Sequence, residues 1–169
     1  RPHSAASQPF DGEGVPPRKK NVVEKGVLQT LLHNLTTAAK QGVTTTGNAA
    51  RGYASAVGVA PSNFYIAPSQ ESVEAMLARM GEGFLITEVS GLHAGANQIS
   101  GDFSLLAKGF AVRGGQKAEP VEQITVAGNF FAVLKDIVAV ADDLAFGLPG
   151  GSLVGSPTIW VKALSVAGK

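Results

Sequence analysis

Between Gly91 and Ser104 the chain reads Gly91-Leu92-His93-Ala94-Gly95-Ala96-Asn97-Gln98-Ile99-Ser100-Gly101-Asp102-Phe103-Ser104. An imidazole, a carboxamide, a hydroxyl and a carboxylate stand there among three glycines. Glycine lets a backbone come close to a ligand and present its N–H groups. A polar loop carried between two strands is also a frequent place for binding. Gly91, His93, Gly95, Asn97, Ser100, Gly101 and Asp102 are therefore the candidate binding residues. The competing reading is a structural connection whose Asn and Asp satisfy their own turns. His93, Asp102 and Ser104 do not make a persuasive hydrolase triad. Ser104 lacks the strained turn of a nucleophile elbow, and a triad is a matter of geometry rather than proximity in sequence.

The other chemical candidates are weaker. His3 lies at an end expected to be mobile, and His33 follows Leu31 and Leu32 as a half-buried residue with its polar atoms satisfied. No His-Glu-x-x-His spacing is present, and there is no cysteine, so a zinc site would need carboxylates from afar. Asp11 and Glu13 sit among glycines in Phe10-Asp11-Gly12-Glu13-Gly14, with too few acidic positions for a calcium loop. They are kept as candidate substrate- or partner-binding residues. Gly147-Leu148-Pro149-Gly150-Gly151-Ser152 has the look of a phosphate loop, but it lacks the Lys, and Pro149 removes an N–H donor. No catalytic residue, metal site or cofactor site is read in this chain.

The elements that must position these groups are short. Residues 1–20 are rich in Pro, Gly, Ser and Ala and read as an irregular lead-in. Two β-prone runs around Lys25-Gly26 predict a hairpin. Asn34 predicts the cap of a helix from Leu35 to Gln41, closed by Gly42. Residues 43–58 read as a loop and 63–67 as a strand. Ser69 reads as the N-cap of a helix with Val73, Met76, Leu77 and Met80 on its buried face, ended by Gly81. A strand at 84–89, the loop 91–102, and two strands at 103–112 and 121–126 flanking Gly114-Gly115 follow. Asn129 predicts the cap of a helix through Ile137, and 158–166 reads as a final strand. The fold class is α+β, with mainly antiparallel sheets in hairpins, sandwich- or barrel-like, and two or three short helices.

Composition narrows the function classes. The chain has 169 residues, 44% hydrophobic and 16% charged, as expected of a single globular domain. With 14 basic and 13 acidic residues the net charge is +1, which makes no electrostatic case for direct contact with nucleic acid or with an anionic membrane. The basic run Arg18-Lys19-Lys20 reads as a solvated face. No apolar run is long enough to span a bilayer, and no signal peptide is visible. The absence of cysteine fits a reducing, cytoplasmic location. The chain opens on Arg1-Pro2-His3 rather than Met, so it is read as a fragment of a longer, two-domain chain.

Four stretches in order resemble the C-terminal domain of PmbA/TldE proteins of the TldD/PmbA family. They are residues 9–16, Thr45-Thr46-Gly47-Asn48-Ala49, the 91–104 loop with its Gly-Leu-His-x-Gly and Gly-Asp-Phe-Ser, and Ile124-Thr125-Val126-Ala127-Gly128-Asn129. The ending from Gly155 to Gly168 is similar too. The resemblance implies a cytoplasmic metallopeptidase complex acting on peptide or unfolded protein. In it a TldD-type partner holds a zinc-type metal through a His-Glu-x-x-x-His helix and a Cys. The PmbA-type chain is non-catalytic and shapes the peptide cleft. This sequence has no Cys where that ligand would be expected, at 146–152. The expected partner is thus a TldD-type subunit or, as a homodimer, a second copy, with His93 and Asn97 contacting substrate or partner. Two alternatives remain: a complete metallopeptidase whose metal site lies in a missing N-terminal region, and a regulatory binder of DNA gyrase, after the family's older name.

Overall fold

A computed structural model describes residues 4–148 and 150–168. His3 and Pro149, with what was expected of each, lie outside the described residues. The fold is α+β and mostly antiparallel. Along the chain, β1 (Val23–Glu24) and β2 (Val27–Leu28) form the expected hairpin, closed by Lys25 and Gly26, both at positive φ. α1 (Leu35–Gln41) follows, then β3 (Ala49–Ala50), β4 (Gly58–Val59) and β5 (Asn63–Tyr65). The segment 43–58, expected to be a loop, thus contains β3 and reaches β4, which pairs with it.

Next come α2 (Val73–Met80), β6 (Gly83–Ser90), α3 (Leu92–Gly95), β7 (Asp102–Arg113), β8 (Gln116–Asn129), α4 (Phe130–Lys135) and β9 (Ile137–Val140). The chain ends with β10 (Ala145–Phe146), β11 (Leu153–Ser156), β12 (Ile159–Val161) and β13 (Ser165–Ala167). There are four helices among the described residues, one or two more than expected. The added one is α3, inside the glycine-rich loop.

Several boundaries differ from the sequence reading: β5 ends at Tyr65 rather than at 67, β8 covers Gln116–Asn129 rather than 121–126, and three more differ for a tertiary reason. Ser72, not Ser69, caps α2, its side chain accepting from Ala75 N at 3.2 Å. Ser69 is engaged elsewhere: its hydroxyl donates to the Val140 carbonyl and accepts from Glu71 N, so the helix starts one turn later. α4 stops at Lys135 rather than at Ile137, because Ile137 already pairs with Val161. β-branched residues suit that ladder better than a helix end. The run 158–166 splits into β12, paired with β9, and β13, paired with β8.

The chain divides into two compact units, Arg1–Ile66 with Ala145–Ser156, and Ala67–Leu144 with Pro157–Lys169. The first holds α1, two two-stranded ladders and a small sheet in the order β10-β11-β5, in which β11 and β5 run parallel. The second holds an antiparallel sheet in the order β13-β8-β7-β6, the β9–β12 pair and the remaining helices. These sheets are open and none closes into a barrel. Leu105 and Ala107 on β7 and Ile124 and Val126 on β8 form the sheet's buried core, with Ile86, Phe103 and Val121 packed against it. Alternation along β7 sends these residues inward and Ser104, Leu106 and Lys108 outward. Among the described residues no helix is long and apolar enough to cross a membrane.

Candidate functional site

The 91–104 loop leaves the end of β6 and returns at the start of β7, so a paired strand holds each of its ends. Gly91 adopts φ 86°, a left-handed conformation that side chains resist, and its carbonyl accepts from Ala94 N at 3.0 Å and Gly95 N at 2.7 Å to start α3. Gly95 packs so closely on β7 that a Cβ there would lie 2.3 Å from the Ser104 carbonyl oxygen. Ala96 then bridges Phe103, and Asn97 N donates to the Asp102 carbonyl at 2.8 Å.

Most polar groups of the loop are consumed inside it. Asn97 Oδ1 accepts from Ile99 N at 2.9 Å and from Ser100 N at 3.1 Å, a side-chain turn that shapes the tip. Gly101 N donates to the Asn97 carbonyl at 2.9 Å. The Asp102 carboxylate accepts from Asn129 Nδ2 at 2.8 Å. That bond and a second from Ser100 hold its carboxyl below the ordinary aspartate value, against a small opposing effect of burial. His93 is exposed, and among the described residues its imidazole makes no hydrogen bond. Asp102 turns to Asn129, and Ser104 lies in the β7–β8 ladder opposite Ala127, so the three residues form no triad. Beside the loop, a largely apolar cleft of about 900 Å³ is lined by Leu92, Ala96 and Phe103, by Phe130 and Phe131 of α4, and by Met76 and Met80 of α2.

Asp11 and Glu13 lie in the other compact unit, where both side chains bind backbone. Asp11 is buried, and its carboxylate accepts from Glu13 N, Val15 N and Ala49 N at 2.9, 3.0 and 2.9 Å. Burial pushes its carboxyl up, but the three N–H groups outweigh that and leave it below the ordinary value. Glu13 accepts from Leu35 N at 2.8 Å, at the first residue of α1. His33 is fully buried rather than half-buried, with Nδ1 3.2 Å from Thr37 Oγ1. Lys20, read as part of a solvated run, reaches inward to the Thr46 carbonyl at 2.7 Å and Asn48 Oδ1 at 2.9 Å. Burial, and secondarily Arg18, lower its pKa.

Among the described residues no three His, Cys, Asp or Glu side chains come together as a metal ligand set. Sequence reasoning missed two features of the site. The apolar cleft had no local signal, because helix, sheet and loop each supply part of it. Asn129 was read only as a helix cap. Its place in the fourth stretch of the resemblance was the available hint of a further role.

Residues 1–168 match the family model described as PmbA/TldA metallopeptidase C-terminal domain. The chain is 39% identical over 148 residues to a metalloprotease PmbA homolog of Haemophilus influenzae, covering 85% of this chain and 30% of that one. It is 37% identical over 139 residues to the metalloprotease PmbA of Escherichia coli O157:H7, covering 82% and 28%. A crystal structure from Thermotoga maritima, described as a candidate modulator of a DNA gyrase, superimposes with a TM-score of 0.88 at 46% identity. That match covers 99% of this chain and 37% of the other. TldE from Thermococcus kodakarensis shares the fold, with a TM-score of 0.83 at 24% identity over 95% of this chain and 36% of that one. The chain spans between 28% and 37% of the length of these relatives.

Proposed function

The chain belongs to the PmbA/TldA metallopeptidase C-terminal domain family, and from that premise we propose that it is the non-catalytic C-terminal part of a longer subunit in a cytoplasmic peptidase complex. In this reading a TldD-type partner contributes the zinc-type metal and the hydrolysis. This chain contributes the 91–104 loop, which contacts the partner or an extended peptide or unfolded protein substrate. His93 is the main contact group. Asn97 joins it through Nδ2, its Oδ1 being spent on the turn.

The observation that carries the reading is the state of the loop. Its ends and turns are held by hydrogen bonds, yet the imidazole points outward with no partner among the described residues. A rigid loop offering one free polar ring suits recognition, since little ordering cost remains on binding. The lack of Cys in the sequence, where the resemblance puts a metal ligand on the TldD side, supports a non-catalytic role.

The test uses the full-length protein, alone and mixed with a TldD-type partner from the same source. The expected result is metal content and cleavage of unfolded polypeptide only in the mixture. Replacing His93 and Asn97 together by Ala is expected to weaken assembly or cleavage about tenfold, the scale of one or two lost polar contacts. Metal-dependent cleavage by the full-length protein alone would move the chemistry into the rest of its own chain. A double variant that assembles and cleaves normally would remove the loop from the interaction.

A further inference from the structure

We infer that Asn129 is the positioning residue of the 91–104 loop: its carboxamide, planted at the N-cap of α4, holds the loop in the shape that presents His93. The inference rests on the proposed binding role of that loop and deepens it.

Asn129 ends β8 directly opposite Asp102, the first residue of β7, so its backbone is fixed by the longest ladder in the molecule. Its Oδ1 accepts from Phe131 N at 3.0 Å and Ala132 N at 3.3 Å, which caps α4 and sets the plane of the amide. Nδ2 then faces the loop and donates to the Ser100 carbonyl and to Asp102 Oδ1, both at 2.8 Å. One side chain thus joins a helix end to two loop residues through four bonds. Only a carboxamide of this length offers two acceptor sites on one side and two donors on the other. Aspartate lacks the donors, and serine or threonine has a single hydroxyl.

The first turn of α4 closes on the same spot. Phe130 N donates to the Gly101 carbonyl at 2.8 Å, and a Cβ on Gly101 would lie 2.7 Å from the Phe131 ring. From Gly101 and Asp102 the hold passes to Asn97 through the two backbone bonds of 2.9 and 2.8 Å, and from there to α3 and His93.

Asn129→Asp separates capping from positioning. The carboxylate keeps the cap acceptor, and its charge suits a helix N-terminus. It loses both donors and sets a like charge against Asp102. The swapped pair, Asn129→Asp with Asp102→Asn, restores one donor–acceptor bond in the reverse sense. In full-length protein, the readouts are the dissociation constant of the complex with a TldD-type partner, amide exchange at Ile99 and Ser100, and the melting temperature. The expected result for Asn129→Asp is about tenfold weaker assembly, the scale of a lost charge-assisted bond. Exchange in the loop should be faster, with melting lowered by no more than a few degrees, and the swapped pair should recover part of both losses, since it restores the bond to residue 102 but not the one to the Ser100 carbonyl.

Unchanged loop exchange in Asn129→Asp would overturn the inference. So would weaker assembly that the swapped pair fails to recover. If His93→Ala has no effect on assembly, the proposed role of the loop fails, while the exchange data still decide whether Asn129 holds it.

Discussion

The carboxylate of Asp11 takes N–H groups from Glu13, Val15 and Ala49, the last 38 positions away in sequence. Its folded pKa lies below the ordinary 3.8, so its contribution to stability is complete above that value and is lost as pH falls through it and below. Asn in its place keeps the shape but turns a donor toward one of those N–H groups. Asp11→Asn is expected to cost about 2 kcal/mol at neutral pH and to flatten the loss of stability below pH 4, measured by urea unfolding at a series of pH values. Gly95 sets two residue-level effects against each other. Alanine favours a helix over glycine by about 0.5–1 kcal/mol, but forcing a methyl into a filled space costs about 1–3 kcal/mol. With the Ser104 oxygen 2.3 Å from the added atom, the second effect wins. Gly95→Ala should destabilise the protein in urea unfolding and speed amide exchange between residues 92 and 104.

At the scale of the element, local signals worked where the cap and the stop stand next to what they bind. Asn34 Oδ1 accepts from Thr37 N at 2.8 Å, Thr37 Oγ1 accepts from Asn34 N at 3.1 Å, and Gly42 closes α1 at φ 66°. Because Asn34 is also buried, Asn34→Ala should cost about 1–2 kcal/mol, visible in thermal melting. The β7–β8 hairpin turns on Gly114 and Gly115 at φ 55° and 78°, a pair that favours Asn followed by Gly. A Cβ on Gly114 meets nothing within 4 Å, whereas one on Gly115 would lie 2.7 Å from Ala78 Cα on α2. Gly114→Asn is therefore expected to change stability by less than about 0.5 kcal/mol, and Gly115→Asn to lower it by about 1–3 kcal/mol. The start of α2 was misread for the opposite reason: Ser69 meets a carbonyl 71 residues away, and no window of local sequence holds that partner.

At the scale of the molecule, three carboxylates held below their ordinary value tie stability to pH. Burial raises the Asp143 carboxyl, but bonds from Thr158 Oγ1 at 2.7 Å and Thr158 N at 2.8 Å overcome it and hold it low. Asp11 lies in one compact unit, and Asp102 and Asp143 lie in the other. All three are held below the ordinary value, so both units should lose stability as pH falls below about 4. Salt should matter much less. The ion pairs Lys108–Glu88, Arg113–Glu82 and Arg113–Glu119 are largely exposed, and such pairs contribute about 0–1 kcal/mol each. Thermal melting across 0.05–0.5 M NaCl should shift by only a few degrees, and a larger shift would contradict this account.

The sequence by itself determined the α+β class, the near-neutral surface, the caps of α1, the turn pairs of the two hairpins and the family. These follow from composition and from neighbours within a few residues, which any fold must respect. Tertiary structure alone decided which resembling stretches meet and what their polar groups do. Asp11 of the first stretch binds Ala49 of the second, and Asn129 of the fourth binds Ser100 and Asp102 of the third. Asp11, Glu13, Asn97, Ser100 and Asp102 were chosen as chemistry, and in the fold their side chains receive or bridge hydrogen bonds that shape the backbone. His93 is left facing solvent. A side chain's type states which bonds it can make, but its partner across the sheet decides which of them remain for a ligand.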